Sequence, residues 1–313
     1  YIYMAIRRPM KVPTVGTDVF SIDTQTSGAP NFMSGFPVDA VIKRTKNAVG
    51  SAYATTRLTG ATTGIKTDIN SAEQTALYPA NSFDYSDGFM SGGGTGADIL
   101  AYMWKRAPGF FDVVAYTGDG VVGRDVTHSL GVTPGMVAVK RRNGVQSWYA
   151  WHTGFAATKY ISWDLTNAPL TGSSLWDDTA PTSSVFTLGG SLNSGDGDYI
   201  AYLFASLDGI SKVDSFTGNG TSQTIDCGFT AGARFVMIKS TTDTGNWLIW
   251  DTERGIVAGD EGHLALNSTA AEITINDSID TDSSGFIVNL DAGAVALDQI
   301  NINAKEYIFY AIA

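Results

Sequence analysis

Two aromatic segments, Ser147-Trp148-Tyr149-Ala150-Trp151 and Asn246-Trp247-Leu248-Ile249-Trp250, carry the side chains best suited to holding a ligand. In an extended strand residues i and i+3 point to opposite faces, so Trp148 and Trp151 cannot both enter one core, nor can Trp247 and Trp250. One ring of each pair is therefore expected at the surface or at a contact between domains. An exposed flat ring beside a hydrogen-bonding group stacks on the C–H face of a sugar while the polar group takes a hydroxyl. On that chemistry Trp148, Tyr149, Trp151, Trp247, Trp250 and Asp251 form a candidate glycan platform. The competing reading packs the outer ring under a loop or against a neighbouring subunit. Trp163 and Trp176 lie in a more irregular stretch and could act similarly.

Catalytic chemistry has little to stand on. Acyl transfer needs a nucleophile, a base and an orienting group within reach of one another, and no Gly-x-Ser-x-Gly elbow occurs. Asp251 and Glu253, two residues apart on a strand, would share a face and could in principle serve as glycosidase acid and nucleophile. A solvated strand end is their ordinary reading, and no enzyme is expected. His128, His152 and His263 do not recur at matching places. Asp277, Asp280 and Asp282, ahead of Gly285, place oxygen ligands in short loops as calcium requires. Asp196 and Asp198 do the same. Neither set matches the twelve-residue calcium loop, and Asp-Ser-Gly clusters are ordinary turn chemistry, so no cofactor and no metal ligand is assigned. Lys43, Lys140 and Lys239 end three similar strands and are expected to project their charge into water. Cys227 reads as a small buried filler.

The elements that position these residues recur along the chain. Tyr307-Ile308-Phe309-Tyr310-Ala311 echoes Tyr199-Ile200-Ala201-Tyr202-Leu203, Ile99-Leu100-Ala101-Tyr102-Met103 and Tyr1-Ile2-Tyr3-Met4-Ala5. Segments led by Gly35-Phe36, Gly131-Val132 and Gly228-Phe229 recur in the same order, as do Ser86-Asp87-Gly88-Phe89, Ser183-Ser184-Val185-Phe186 and Ser283-Ser284-Gly285-Phe286. Such self-similarity defines three repeats of about 100 residues, at 10–107, 108–207 and 208–313, with residues 1–9 as the final strand of an upstream repeat. Tyr1–Ile6 is expected to pair with the first repeat or with an upstream domain. Within a repeat the period is two, and the short strands are separated by Gly, Asn, Asp and Ser turns. The fold class is all-β: three tandem antiparallel β-sandwiches of jelly-roll or lectin-like form. A six-bladed propeller is the alternative. The one helix candidate is a short turn at Ser71–Leu77.

Composition bounds the partners. The net charge of −11 argues against a surface built to neutralise phosphates, so nucleic acid is not expected. A single cysteine excludes an internal disulfide framework. No apolar run approaches the ~18 residues of a spanning helix, so no membrane insertion is expected. Gly makes up 35 of 313 residues while charged residues are only 16%, which suits a chain of many short strands and small polar turns.

Phe216-Thr217-Gly218-Asn219-Gly220 with Ile225-Asp226-Cys227-Gly228-Phe229, Ala233 through Lys239, and Gly245-Asn246-Trp247 through Trp250-Asp251-Thr252-Glu253-Arg254-Gly255 carry a resemblance. They resemble a tandem-repeat family of virion and tail-fibre proteins of marine tailed phages. The resemblance covers most of the chain, though the first repeat lacks the tryptophans. It implies a β-sandwich of the concanavalin-like lectin type in a bacteriophage virion protein, located on the extracellular particle in a tail fibre or appendage. It implies no enzyme, and the partners it implies are a host cell-surface glycan and other virion proteins, in a homo-oligomer, commonly a homotrimer. The leading expectation is a fibre protein for host attachment by carbohydrate binding. A purely structural role, as capsid decoration or fibre spacer, is the second, and a polysaccharide depolymerase the third.

Overall fold

A computed structural model describes residues 10–92, 96 and 98–313. The segment 1–9, and with it the expected pairing of Tyr1–Ile6, lies outside the described residues. Strand accounts for 38% of the structure and helix for 3%, so the chain is all-β as its two-residue period requires. No described helix is long and apolar enough to cross a membrane.

Three large antiparallel sheets share one strand order. Sheet I runs Phe20–Thr24, Ile99–Trp104, Ala40–Thr45, Tyr53–Thr56, Ile65–Lys66. Sheet II runs Phe111–Thr117, Asp198–Phe204, Met136–Arg141, Tyr149–His152, Lys159–Ser162, Leu170–Thr171. Sheet III runs Ser211–Thr217, Glu306–Ile312, Phe235–Ser240, Leu248–Asp251, Glu261–Ala265, Ile273–Asn276. In each, a strand from late in the sequence inserts between the first and the second long strand. Register fixes the equivalences. Tyr102 lies opposite Ile42, Tyr202 opposite Ala138 and Tyr310 opposite Met237.

The inserted strands show why three sheets need one another. Their alternate residues divide between two interiors. Leu100, Tyr102 and Trp104, then Ile200, Tyr202 and Phe204, then Ile308, Tyr310 and Ile312 all enter one central core shared by the three sheets. The residues between them face outward instead, onto small sheets that complete each sandwich. Phe32–Met33 pairs with Gly88–Phe89 over sheet I, and Arg124–Thr127 with Val185–Leu188 over sheet II. Gln223–Asp226 and Ile279–Asp282 flank Gly285–Val288 over sheet III. Each large sheet is thus buried on both faces, which is why its long strands read as nearly continuous apolar runs.

In the central core rings from different sheets meet. Phe20 lies 5.4 Å from Phe235, Trp104 lies 6.0 Å from Phe235, and Phe204 lies 4.9 Å from Tyr310, measured between ring centroids. The turn expected to be helical at Ser71–Leu77 is not a helix: Gln74 bridges Gly64, Ala76 turns the chain at φ 60°, and the Leu77 N–H is given to the Thr62 carbonyl. The described α-helix is one turn, Ser173–Trp176, ended by Asp177 in the left-handed region at φ 48°.

Because the three sheets share this core, its loss is felt by all of them. Phe235, 2% exposed, touches rings of sheet I and sheet III. Phe235→Ala is expected to cost about 3–5 kcal/mol. In urea it should shift one cooperative transition of the whole chain; a mutant in which sheet III melts separately would contradict a shared core.

Candidate functional site

The aromatic strands do not form a surface. Trp148, Trp247 and Trp250 are at most 2% exposed and Trp151 is 5% exposed, while Asp251 is wholly buried and Tyr149 half-buried. The i, i+3 geometry holds, but both faces it divides are interiors. Trp148 and Trp247 enter the central core, whereas Trp151 and Trp250 enter the outer sandwich cores of sheets II and III. Trp163 and Trp176 are buried as well. The expected glycan platform is therefore corrected: its four tryptophans offer no face to a sugar, because each large sheet is covered on both sides.

What these strands do instead is join the sheets. The indole N–H of Trp148 donates to the Lys66 carbonyl of sheet I at 2.8 Å, and that of Trp247 to the Ser162 carbonyl of sheet II at 2.8 Å. Backbone bonds lie beside them at equivalent places. Gln146 N donates to Asn70 O at 2.9 Å, Gly245 N to Thr166 O at 2.8 Å and Gly50 N to Thr269 O at 2.8 Å. Sheet II so bonds to sheet I, sheet III to sheet II, and sheet I to sheet III. The contacts close a ring.

The lysine expectation is corrected in the same way. Lys140 and Lys239 are wholly buried and do not reach water. Lys140 donates to the carbonyls of Gln146 and of Asn70 across the seam, and Lys239 to Gly245 at 2.7 Å and to Thr166 across the seam at 2.8 Å. Burial pulls Lys140 down to about 8, opposed by the nearby Asp164, and pulls Lys239 down to about 7. In sheet I the residue in this place is Arg44, not Lys43. Lys140 faces Ile200, Lys239 faces Ile308 and Arg44 faces Leu100, whereas the half-buried Lys43 lies over the Tyr78 ring.

Arg44 also explains how sheet I manages without a tryptophan. Counting from the same register, Ala52 stands where the other sheets carry Trp148 and Trp247, leaving the Ala265 carbonyl, the counterpart of Lys66 and Ser162, without an indole donor. Arg44 spans the difference, one guanidinium nitrogen donating to Ala265 O and the other to Ala270 O. A forked donor does the work of a lysine and an indole together. Sequence comparison by residue type missed Arg44; counting residues from the recurrent tyrosine would have found it.

Of the two carboxylates singled out for catalysis, Asp251 is committed to structure. Asp251 accepts from the Tyr102 hydroxyl of sheet I at 2.8 Å and from Arg254 Nε at 2.7 Å, and Arg254 also reaches Glu272 at 3.4 Å. Asp251 is thus an interior ion-pair partner at the seam of sheets I and III, while Glu253 is exposed. Asn289 donates its side-chain amide to both Asp277 and Asp280, at 3.0 and 2.8 Å, and Asp282 caps the turn at Ser284. A hydrogen-bond donor thus stands between Asp277 and Asp280. Asp196 pairs with Arg141 at 3.0 Å, and Asp198 accepts from Thr117 at 2.9 Å. Cys227 is buried, and that burial pushes its thiol up to about 12.

Sheet III holds a further buried carboxyl that sequence reasoning passed over. Glu261 Oε1 accepts from Trp250 Nε1, Ser278 N and Ile279 N at 2.9–3.1 Å, while Oε2 has no partner among the described residues. Burial raises it to about 7. His263, two residues on, lies 3.6 Å from Asp298. His152 is buried and neutral, held down to about 4 by burial, with Nδ1 accepting from Gly154 N at 2.9 Å. A concavity of about 1140 Å³ lies by sheet I between residues 10–19 and the stretch Lys105–Ala107, with Tyr85, Asp84 and Arg57 on its wall.

Fold and seams together define the class: an all-β chain whose three large sheets are locked round a common core by buried cation-to-carbonyl contacts. The chain belongs to the family described as a domain of unknown function, DUF7483, whose model matches residues 23–313 and so spans all three sheets. No curated protein and no solved structure matches it.

Two outcomes follow from this geometry. Arg44→Lys keeps a charge but leaves the Ala265 carbonyl without its donor, and should cost about 1–3 kcal/mol in urea unfolding. Glu261 is raised in the folded state, so its contribution is full below about 4.5 and is lost as pH rises through about 7. Glu261→Gln should flatten that decline in thermal melts between pH 5 and pH 8; an unchanged slope would place the titration elsewhere.

Proposed function

We propose that the chain is a structural module of an extracellular particle, a single-chain spacer or decoration that works through its shape rather than through a ligand. The observation that carries this reading is the fate of the aromatic strands: the side chains best suited to a sugar are spent on joining sheets. Each ring is desolvated, hydrogen-bonded or stacked in an interior, as in the Trp148–Trp163 pair at 5.5 Å. The phage-fibre resemblance of the repeats supplies the setting, and other virion proteins are the partners it suggests.

This reading also alters the expected homotrimer. Three copies of a fibre chain commonly surround one axis; here one chain brings three sheets round a common core with the seams internally bonded. The proposed working unit is the single chain.

Light scattering on the purified protein should give a mass near 33.2 kDa, and a glycan array should show no binding above that of a heat-denatured control. A threefold mass, or glycan binding abolished by Tyr85→Ala in the groove beside sheet I, would overturn the structural reading in favour of attachment.

A further inference from the structure

The three seams are built on one plan but are not equally furnished. Where sheets I and II meet, Glu73 N donates to Arg142 O at 2.8 Å and the Glu73 carboxylate pairs with Arg142 Nε at 2.8 Å. Where sheets III and I meet, Glu272 N donates to Lys46 O at 2.8 Å and Glu272 pairs with Arg254. The counterpart of Glu73 and Glu272 in sheet II, counted from the aligned strand ends, is Pro169. Proline has neither an N–H to give to Thr241 nor a carboxylate. A crevice of about 220 Å³, lined by Pro169, Thr241, Thr242 and Phe155 among others, opens at this place.

The buried cation of this seam is also the least supported. Asp164 Oδ1 accepts from Trp148 N at 3.1 Å, and its charge favours the ammonium of Lys140. Asp68 stands likewise to Arg44. In sheet III the same place, accepting from Trp247 N at 2.8 Å, is held by the neutral amide of Asn267. Lys239 therefore has two carbonyls and no counter-charge. Two acceptors satisfy the two N–H groups of an uncharged amine and leave the third hydrogen of an ammonium without a partner.

Other charged groups on the surrounding elements are engaged elsewhere. Asp164, two residues before Thr166, bonds to Trp148 N; Asp298 accepts from Asn246 at 2.7 Å and lies beside His263; Lys305 pairs with Asp243 at 2.8 Å; Glu306 accepts from Thr217 at 2.9 Å. Lys159 lines the crevice. Among the described residues none forms an ion pair with Lys239.

We propose that the ring opens at the seam between sheets II and III, and that Lys239, clasping it as an uncharged amine, makes this opening more frequent as pH falls through neutrality. The sign follows from linkage. A lysine lowered to about 7 in the folded state and unperturbed when released favours the closed seam fully above about 10.5, and loses that advantage as pH falls to about 7. From pH 8 to pH 7 the opening constant should rise about fivefold at the Lys239 seam, about twofold at the Lys140 seam, and not at all at the Arg44 seam.

Amide hydrogen exchange on the intact protein, corrected for the intrinsic pH dependence, tests this at Gly245, Gln146 and Gly50, the three equivalent seam donors. The expected order of protection at pH 7 is lowest at Gly245, with the steepest change on going to pH 8. Asn267→Asp supplies the missing carboxylate and should reduce the slope at Gly245 from about fivefold to the roughly twofold expected at the Lys140 seam, while leaving Gly50 unchanged. The Lys239 side-chain carbon and nitrogen resonances give a direct reading in the unmutated protein. A charged amine at pH 8.5, or equal protection at all three seams, would overturn the proposal.

Discussion

Desolvation of the central core is the constraint from which the rest follows. Phe20, Trp104, Phe204, Phe235 and Tyr310 meet where no sheet alone could cover them. Each sheet must therefore be apolar on its inner face as well as on the face that closes its own sandwich. Strands buried on both sides leave few places for charge, and Lys140, Lys239 and Arg44 lie at seams, where backbone carbonyls can receive them. The low charge content of the chain and its buried lysines have the same origin.

Seam chemistry explains the choice of donors. A strand end buried between sheets leaves carbonyls that no ladder satisfies, and an unmet buried acceptor costs as much as a lost hydrogen bond. Long side chains with terminal N–H groups meet these acceptors from across the gap. Lysine with tryptophan, or arginine alone, are two solutions to one geometric requirement, and the chain uses both. The requirement belongs to the carbonyls rather than to any residue type.

Much of this was legible in the sequence, and the misreadings are instructive. The two-residue period gave the fold class because it reflects only which face is buried. The i, i+3 rule correctly separated Trp148 from Trp151, yet could not tell water from a second interior, since both lie on the far side of a strand. Lys43 was matched to Lys140 and Lys239 by type and slipped one residue, which in a strand reverses the face; only the pairing register singled out Arg44. Lys140 and Lys239 looked like solvated strand ends because one acceptor of each, Asn70 or Thr166, comes from a loop about 70 residues away in sequence, a distance over which no local pattern speaks. Proline at 169 reads as a turn residue until Glu73 and Glu272 show what it replaces.

Closure of the seams into a ring bears on how such a chain can vary. Repeat proteins that stack in an open row gain or lose units at little cost, because each unit touches only its neighbours and the ends are capped. Here the last sheet returns to the first through Arg44 and Gly50, so there are no ends to cap. Deleting one sheet, or inserting a fourth, would strand seam donors and acceptors and leave the central rings mismatched. Copy number is thus fixed by geometry, and change is channelled into individual seams, where arginine can replace lysine with tryptophan and proline can replace glutamate without altering the count.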